Sequence, residues 1–483
     1  MEKNLVYDIH EKPKFGQMIV FAFQQLLAIL AATIAVPTII GLPTQIPAAI
    51  LGAGIGTLVY QFFTRKKSPV FLGSSFAFLN SLAVGLAYGY CGIILGSVVA
   101  GLVYVVIAII IHFSGTNWVN KLMPPVIIGP TVALIGLSLA GAAMGDIVKA
   151  NGVQPNVSYN LISLLCGLVA FFTIIICSTQ KKVKMARLIP FIIGIGAGYA
   201  VAAIFTLIGK VAGIDYFLII NFEPIVNNFI AEDGTFKGIT AFVNYPDFAL
   251  IEAIKELASG NISAEILKAN ENATLLNAGG IVEVIIAFLP VALVVFAEHI
   301  ADHKNLSSII GKDLIEEPGL KRTLLGDGVG SIMGTVFGIC PNTTYGESVG
   351  CVAITRNASV ATITTTAFMC IILSFISPVM ALLQTIPSCV MGGVCLTLYG
   401  FIAVSGLKMF KDLDLGDNKN LFVVASILIS GIGGLTIQIP YAIAEDGVVS
   451  KTIQITAIAT ALIIGIVTNA ILTKVENSKF GKE

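Results

Sequence analysis

Charge is scarce in this sequence. Asp, Glu, Lys and Arg make up 12% of its 483 residues, about half of the share in an average soluble protein. Hydrophobic residues make up 56%, and the mean hydropathy is +0.92. A water-soluble fold could not bury so much apolar surface, so a soluble multidomain protein is excluded.

Long polar interruptions are also rare, and the apolar runs between them have about the length that crosses a bilayer. The run that follows the polar tail at residues 1–17 is too long for the core of a signal peptide, so we expect the first span to be retained. The sequence predicts an all-α protein that crosses the membrane many times. The clearest runs cover residues 17–42, 89–112, 159–179, 187–209, 281–301, 362–383, 421–438 and 452–473.

The net charge is zero, with 28 basic and 28 acidic residues, which gives no reason to expect a nucleic-acid partner. Basic residues cluster in the N-terminal tail and near residues 65–67, 181–187, 304–322 and 408–419. With fourteen spans, every cluster lies on the same side as both termini, and the positive-inside rule assigns that side to the cytoplasm. We therefore expect a multi-pass protein of the cytoplasmic membrane with both termini in the cytoplasm.

Metal-binding and disulfide patterns are weak. The eight cysteines are scattered singly through apolar stretches, without a C-x-x-C pair. His299 and His303 have the i, i+4 spacing of a helical metal site, but Ile300 stands where a metalloprotease has its glutamate. The sequence predicts no metal and no cofactor. An intramembrane metalloenzyme that uses these two histidines is the remote alternative.

Two pairs of similar segments indicate an internal repeat. Residues 123–130 resemble 386–393, and residues 73–78 resemble 343–348 at nearly the same offset. A repeat of seven spans has odd parity, so its second copy is inverted in the membrane. Such folds place broken helices at mid-membrane. We expect an extended stretch followed by a half-helix in spans 3 and 10, near Phe76 and Tyr345.

The segment at about 210–280 is the longest polar part of the chain. Its acidic residues outnumber its lysines. We expect an exterior loop with one or two short amphipathic helices, acting as a solvated linker rather than as a binding element.

Two acidic side chains occur in AEHIADH at 297–303. Glu298 and Asp302 lie one helical turn apart on one face, toward the cytoplasmic end of a span. A charge at mid-membrane costs at least about 2.5–3.5 kcal/mol, so such residues usually face a cavity and serve function. The alternative is a helix end whose acids extend into water, and this alternative is stronger for Asp302 than for Glu298.

A third acid, Glu347, follows Gly346 in CPNTTYGESVGCVAITR at 340–356. A carboxylate accepts N–H hydrogen bonds and an exposed glycine amide donates to a carbonyl, so the pair suits the edge of an imide or amide ring. Phe76 and Tyr345 occupy matching places in the two broken segments and could stack on a flat heteroaromatic ring. Packing of either ring in the core is an equally good interpretation.

The sequence resembles the nucleobase–ascorbate transporter family, also called the nucleobase cation symporter-2 family, and within it the bacterial uracil permeases. The resemblance covers nearly the whole chain and depends on FQQLLAILAATIAVP, GSSFAF, AEHIADH and PNTTYGESVGCVAITR in the family's order. It implies fourteen spans in two inverted sevens. A core domain would comprise residues 1–115 and 281–383, and a gate domain residues 116–280 and 384–483.

The resemblance also implies roles for single residues. Glu298 and Glu347 would bind a pyrimidine ring, the backbone at Phe76 and Gly346 would complete its edge, and Tyr345 would line the pocket. Family members are typically proton-coupled and often form homodimers through their gate domains. The implied function is proton-coupled import of uracil by alternating access.

Three positions depart from the family pattern. Gln25 stands where a histidine is frequent, Asp302 stands where some uracil permeases have histidine, and Ser348 replaces the usual asparagine. We assign Gln25 and Ser348 supporting roles, with the coupling proton on Glu298 or Asp302. A carboxylate at Glu347 favours uracil, because purine-transporting relatives usually have glutamine there. A purine (xanthine-type) symporter on the same fold is the alternative.

Overall fold

The computed structural model describes residues 5–149, 159–183, 186–187, 189–231, 233–443 and 449–480. The chain ends at 1–4 and 481–483, which we predict to be cytoplasmic, lie outside these residues. The first helices are α1 (Phe15–Ile39), α2 (Ile46–Phe63), α3 (Leu79–Leu86), α4 (Gly89–Ser114), α5 (Asn117–Leu122), α6 (Pro125–Val148), α7 (Leu161–Thr179) and α8 (Pro190–Ala212). The next are α9 (Glu223–Phe229), α10 (Ala249–Ser259), α11 (Ala264–Ala269), α12 (Ala278–Ile310), α13 (Leu320–Phe337) and α14 (Gly346–Thr355). The last are α15 (Val360–Ser374), α16 (Ser377–Gln384), α17 (Ser388–Lys408), α18 (Asn418–Ile432) and α19 (Ala457–Phe480).

The helices account for the apolar composition. Nine helices among the described residues are long and apolar enough to cross a membrane. Proline begins α6 and α8 at Pro125 and Pro190, where a missing N–H costs no helical hydrogen bond. Gly311 ends α12 with φ of 75°, a left-handed conformation that glycine adopts without strain. The predicted all-α membrane fold is confirmed at this level.

Two predicted spans have different boundaries. The run at 362–383 is broken between α15 and α16, where Ser377 N–H donates to the carbonyl of Phe242 over 3.1 Å. The run at 452–473 starts as β4 (Val449–Ile455), which pairs antiparallel with β3 (Ile437–Ile443), and becomes helical only at Ala457. Gly434, with φ of 72°, lies between the end of α18 and this hairpin. Both runs are apolar, as the sequence shows, but hydropathy alone does not distinguish a strand from a helix.

The segment at 210–280 is not a solvated linker. It contains three short helices, α9 to α11, and its backbone is attached to the spans at several points. The amides of Ile219 and Ile220 donate to Thr206 Oγ1, both over 3.0 Å. Thr274 N–H donates to the carbonyl of Ala87 over 2.9 Å. Hydrogen bonds of this kind make the segment a structured cap.

Two short strands cross near the centre of the protein. β1 (Leu72–Ser74) pairs antiparallel with β2 (Asn342–Thr344), and both are fully buried. Asn342 Nδ2 donates to the carbonyl of Gly52 over 2.8 Å, and Thr57 Oγ1 accepts from the amide of Leu72 over 3.0 Å. Non-helical backbone within the hydrocarbon region must be satisfied by protein groups in this way. Each strand is followed by a short helix, as predicted for the two broken segments.

The helices form two groups. In the first, α13 packs on α2 and α4, and α15 packs on α1 and α2. In the second, α17 packs along α6 and α7, while α18 and α19 pack on α6. Glycines permit very close approach in the first group: a Cβ on Gly52 would lie 2.2 Å from the carbonyl oxygen of Gly334. Small residues of this kind stabilise membrane helices by allowing close backbone packing.

Candidate functional site

A cavity of about 500 Å³ lies between the two helix groups. Its first wall is formed by α12, α14 and the ends of the crossing strands, and its second wall by residues of α6, α8 and α17. All six residues that we assigned to substrate binding or proton coupling line it. These are Phe76, Glu298, Asp302, Tyr345, Gly346 and Glu347.

Glu298 and Glu347 reach the cavity from different elements. Glu298 lies on α12, which continues to Ile310, so it is within the helix and not near its end as the sequence indicated. Its Oε2 atom is buried and has no hydrogen-bond partner among the described residues. Glu347 lies in the first turn of α14, where the free amides and the helix dipole favour negative charge. Both acids are partly buried and line the cavity, and their functional role stays a prediction.

Asp302 is held by the crossing strands. It is 5% exposed, and Thr344 Oγ1 donates to its Oδ2 over 2.6 Å. The contact joins β2 to α12 next to the cavity. Thr344 is a residue that sequence reasoning missed, although it precedes the predicted Tyr345 directly.

The two supporting residues are also brought together. Gln25 Nε2 donates to Ser348 Oγ over 2.5 Å, and both side chains are buried. Of the two adjacent glutamines in α1, Gln24 and Gln25, it is Gln25 that makes this contact. The bond fixes α1 against α14, one residue beyond Glu347.

The aromatic residues differ in what they offer a ligand. Tyr345 OH donates to the carbonyl of Ser74 over 3.0 Å, and its ring lies over Gly73, where a Cβ would be only 2.3 Å away. Phe76 meets the ring of Tyr399 edge to face, with centroids 5.3 Å apart. Both rings are therefore packed and present only part of their surface to the cavity.

Gly346 leaves an opening in the cavity wall. It is exposed to the cavity, and a Cβ built on it would have no atom within 4 Å. Its amide is the first of α14 and has no helical acceptor. A donor and the Glu347 acceptor thus stand side by side at the helix start.

The two histidines of α12 are hydrogen-bonded within a buried network. His299 Nδ1 lies 2.6 Å from Asp327 Oδ2, and its Nε2 lies 3.0 Å from Thr323 Oγ1. His303 Nε2 lies 2.8 Å from Tyr60 OH. No group of three metal-ligating side chains occurs among the described residues. Sequence reasoning missed Asp327, although a lone acid in the apolar run LLGDGVGS carries the same signal as Glu298.

Known folds match this architecture across nearly the whole chain. The transmembrane domain of a cyanobacterium bicarbonate transporter is 13% identical, with a TM-score of 0.50 over 96% of this chain and 100% of that one. The murine Solute Carrier 26 family member A9 anion transporter, in the inward-facing state, is 11% identical. Its TM-score is 0.58 over 96% of this chain and 69% of that one. Identities this low show a shared transporter fold and nothing about the cargo.

The sequence profile of the Permease family (Xan_ur_permease) matches residues 16–440. The chain belongs to this family. The predicted resemblance is thereby confirmed, and the permease is a transporter rather than the metalloenzyme kept as a remote alternative.

Relatives of this permease match over nearly their full length. The uracil permease of Bacillus caldolyticus is 36% identical over 97% of this chain and 94% of its own. The uracil permease of Bacillus subtilis (strain 168) is 33% identical over 99% and 98%. The uracil permease of Escherichia coli (strain K12) is 32% identical over 89% and 88%. The relatives therefore align with both helix groups and with the cavity between them.

Proposed function

We propose that this permease imports uracil across the cytoplasmic membrane. The observation that carries the proposal is the convergence of Glu298, Glu347 and the open backbone of Gly346 on one cavity. The naming of its relatives as uracil permeases supports the same cargo.

The chemistry of the ring fits these groups. Uracil is a flat ring that carries two N–H donors and two carbonyl acceptors at four consecutive positions. The carboxylates accept from the N–H groups, and the backbone amides at Gly346 and Phe76 donate to the carbonyls. A ring without this pattern leaves buried polar groups unpaired, which can cost several orders of magnitude in selectivity. A purine symporter is the second candidate, because a purine such as xanthine also carries imide groups.

The proposed topology has fourteen spans in two inverted repeats. Nine long apolar helices, three shorter ones starting at Phe76, Val360 and Asn418, and α13 and α14 together give that number. The antiparallel pairing of β1 with β2 also supports inversion. In this topology the basic ends of the helices face the cytoplasm, as the charge distribution predicts.

Transport would proceed by movement of the two helix groups relative to each other. The first group corresponds to the predicted core domain and the second to the predicted gate domain. The cavity extends from Glu298 to Arg187 and Lys408, which lie at the ends we assign to the cytoplasm. In this arrangement the site is open toward the cytoplasm, and closure of the groups would open the opposite side.

A proton would accompany uracil and reside on Glu298 or Asp302. Two ionised carboxylates in one cavity repel each other, and one bound proton relieves that repulsion. The neutralised, loaded core group could then cross its barrier. One charge moved across 100 mV is worth about 2.3 kcal/mol, which supports roughly fifty-fold accumulation.

We extend the proposal to a homodimer formed through the gate domain. The second helix group exposes large apolar side chains, including Phe422 at 60% and Ile429 at 74%. Lipid covers such side chains as well as a second copy of the protein would. Cross-linking of single cysteines placed on α18, carried out in native membranes, distinguishes the two. Absence of any cross-linked pair along α18 would remove this part of the proposal.

Two experiments test the cargo and the coupling. Binding of uracil, thymine, xanthine and sulfate to purified protein should show selective uracil binding that Glu347→Gln weakens at least tenfold.

In proteoliposomes with an inwardly directed proton gradient, Glu298→Gln should abolish uracil accumulation above equilibrium. Glu316→Gln, an exposed acid of the α12–α13 connection, is the matched control. Preferential xanthine binding would favour the purine alternative, and full pH-driven accumulation by Glu298→Gln would exclude its coupling role.

A further inference from the structure

A second cavity, of about 350 Å³, lies between α5 and the last helix, α19. It shares no lining residue with the uracil cavity. Its polar lining includes Lys121 of α5 and Asn469, Lys474 and Asn477 of α19. Leu122 of α5 and Ile466 of α19 form part of its apolar floor.

The α19 residues form one continuous face. Ile466, Asn469 and Asn477 are separated by three and eight positions, which places them on the same side of a helix. From Ile466 to Asn477 the groove runs about 16 Å along the axis, at 1.5 Å per residue. One end is apolar and the other carries ammonium and amide donors, as expected of a groove that crosses from hydrocarbon to the membrane surface.

The charge in the groove is uncompensated. Neither Lys121 nor Lys474 has a carboxylate within 4.0 Å among the described residues. The nearest acid in sequence on α19, Glu476, is paired with Lys419 of α18 over 3.0 Å. No acidic residue is among the described residues that line the groove. Two cations and two amides therefore face a shared space without an anionic partner from the protein.

We propose that this groove binds the phosphate headgroup of an anionic phospholipid. The two ammonium groups and the amide of Asn477 would hold the headgroup, and one acyl chain would lie along Leu122 and Ile466. A zwitterionic choline headgroup is disfavoured, because its positive charge would be repelled by the two lysines and no carboxylate among the described lining residues would pair with it. Basic grooves at the cytoplasmic ends of transmembrane helices recognise anionic headgroups on this physical basis.

A bound lipid would connect parts of the chain that are distant in sequence. Lys121 belongs to the short helix that leads into α6, and Lys474 belongs to the final helix. Both α6 and α19 are members of the second helix group, and α19 packs on α6. The lipid would thus stabilise the second helix group, relative to which the first group would move.

The test uses the full-length protein in nanodiscs and measures lipid retention by native mass spectrometry. Phosphatidylglycerol should be retained on the wild type in preference to phosphatidylcholine. The double variant Lys121→Gln/Lys474→Gln should weaken phosphatidylglycerol binding about 25-fold, close to fivefold for each lysine near an anionic surface. Lys181→Gln/Lys182→Gln, which removes two exposed lysines from the α7–α8 connection, should leave it unchanged.

A competitor and a second double variant distinguish binding of the lipid headgroup from other causes of lipid retention. Inorganic phosphate at millimolar concentration should not displace the lipid, because it lacks the acyl chain, and displacement would assign the groove to a free anion. Lys121→Arg/Lys474→Arg should retain the lipid, which excludes a folding defect as the cause of the loss. Equal retention of both lipids, or a glutamine variant that binds like the wild type, would overturn the proposal. Uracil binding is measured in parallel, and its outcome is independent of these results.

Discussion

Thr344 Oγ1 donates a hydrogen bond of 2.6 Å to Asp302 Oδ2, joining a central strand to the helix that carries Glu298. The bond is buried, and we expect a change in the charge or position of Asp302 to affect β2. β2 leads directly into α14, where Gly346 and Glu347 begin the helix. One side-chain contact therefore links the proposed proton site with the proposed ring site.

Replacement of Thr344 by valine keeps the shape and removes the donor. Hydrogen bonds to charged groups contribute about 1.5–3 kcal/mol, so we expect uracil affinity to fall roughly tenfold and its pH profile to shift. Isothermal titration calorimetry between pH 5 and pH 8 measures both. Thr344→Ser retains the hydroxyl and should behave like the wild type. If the valine variant keeps the pH profile of the wild type, Asp302 does not influence uracil binding through Thr344.

Gly346 offers a test with a matched neighbour. A Cβ at Gly346 or at Gly350 has no atom within 4 Å, and both glycines line the cavity. Neither Gly346→Ala nor Gly350→Ala should therefore lower thermal stability in detergent. Only Gly346→Ala should weaken uracil binding, by at least tenfold, because its methyl group would occupy the space beside Glu347. Similar losses in both variants would show that the ring does not lie at the start of α14.

The contact between Gln25 and Ser348 should be energetically coupled. Gln25→Leu and Ser348→Ala each remove one partner of a buried bond of 2.5 Å. A double-mutant cycle on the free energy of uracil binding should give a coupling of about 0.5–1.5 kcal/mol. Purely additive losses would mean that the two residues act separately on the site.

The buried pair of His299 and Asp327 should determine stability. Both side chains are 0% exposed and lie 2.6 Å apart. Leaving a buried polar group without its hydrogen-bond partner typically costs about 1–3 kcal/mol, so Asp327→Ala should lower the thermal midpoint in detergent by several degrees. Asp327→Asn, which keeps a hydrogen-bonding group, should lower it less. If Asp327→Ala melts like Glu316→Gln, the network does not stabilise the fold.

The cap formed by residues 210–280 should loosen as the pH rises. Burial raises the pKa of the Glu265 carboxyl, although hydrogen bonds from Gln45 and Tyr90 lower it in part and Asp247 and Glu252 raise it further. Since the folded pKa exceeds the unfolded value, docking is most stable below the ordinary glutamate pKa of about 4.3. That stability is lost as the pH rises through the raised pKa.

Hydrogen exchange of residues 264–277, corrected for the intrinsic rate, measures this effect. Protection should fall with rising pH in the wild type and stay level in Glu265→Gln, which cannot ionise. Tyr90→Phe is the second variant: it removes one hydrogen bond to Glu265 and should shift the transition to higher pH. A wild-type profile as flat as that of Glu265→Gln would contradict the assignment.

Several features were predictable because they depend on composition or on local spacing. The cost of charge in lipid identified Glu298 and Glu347 without any tertiary information. The same argument applied to Asp327, yet that acid was overlooked because it stands outside the motifs. Thr344 gave no signal, since threonine is common in membrane helices and its role depends on a partner 42 residues away.

The cap and the hairpin show where sequence patterns failed. Residues 210–280 look like a linker because they are polar, but Ile219, Ile220 and Ile266 are buried against the spans. The run at 452–473 looks like a helix because it is apolar throughout. Whether such a run begins as a strand depends on a pairing partner, here β3, and not on hydropathy.

The sequence by itself determined that the chain lies in a membrane, that it belongs among nucleobase transporters, and which acids carry a high free-energy cost in lipid. These properties follow from transfer free energies and motifs, which act residue by residue. Tertiary structure alone decided which side chains share the cavity, that Gln25 rather than Gln24 holds Ser348, and that both histidines are occupied within the protein. Those outcomes depend on how two helix groups and two crossing strands pack. The distances that packing creates between residues far apart in the chain cannot be read from a sequence pattern.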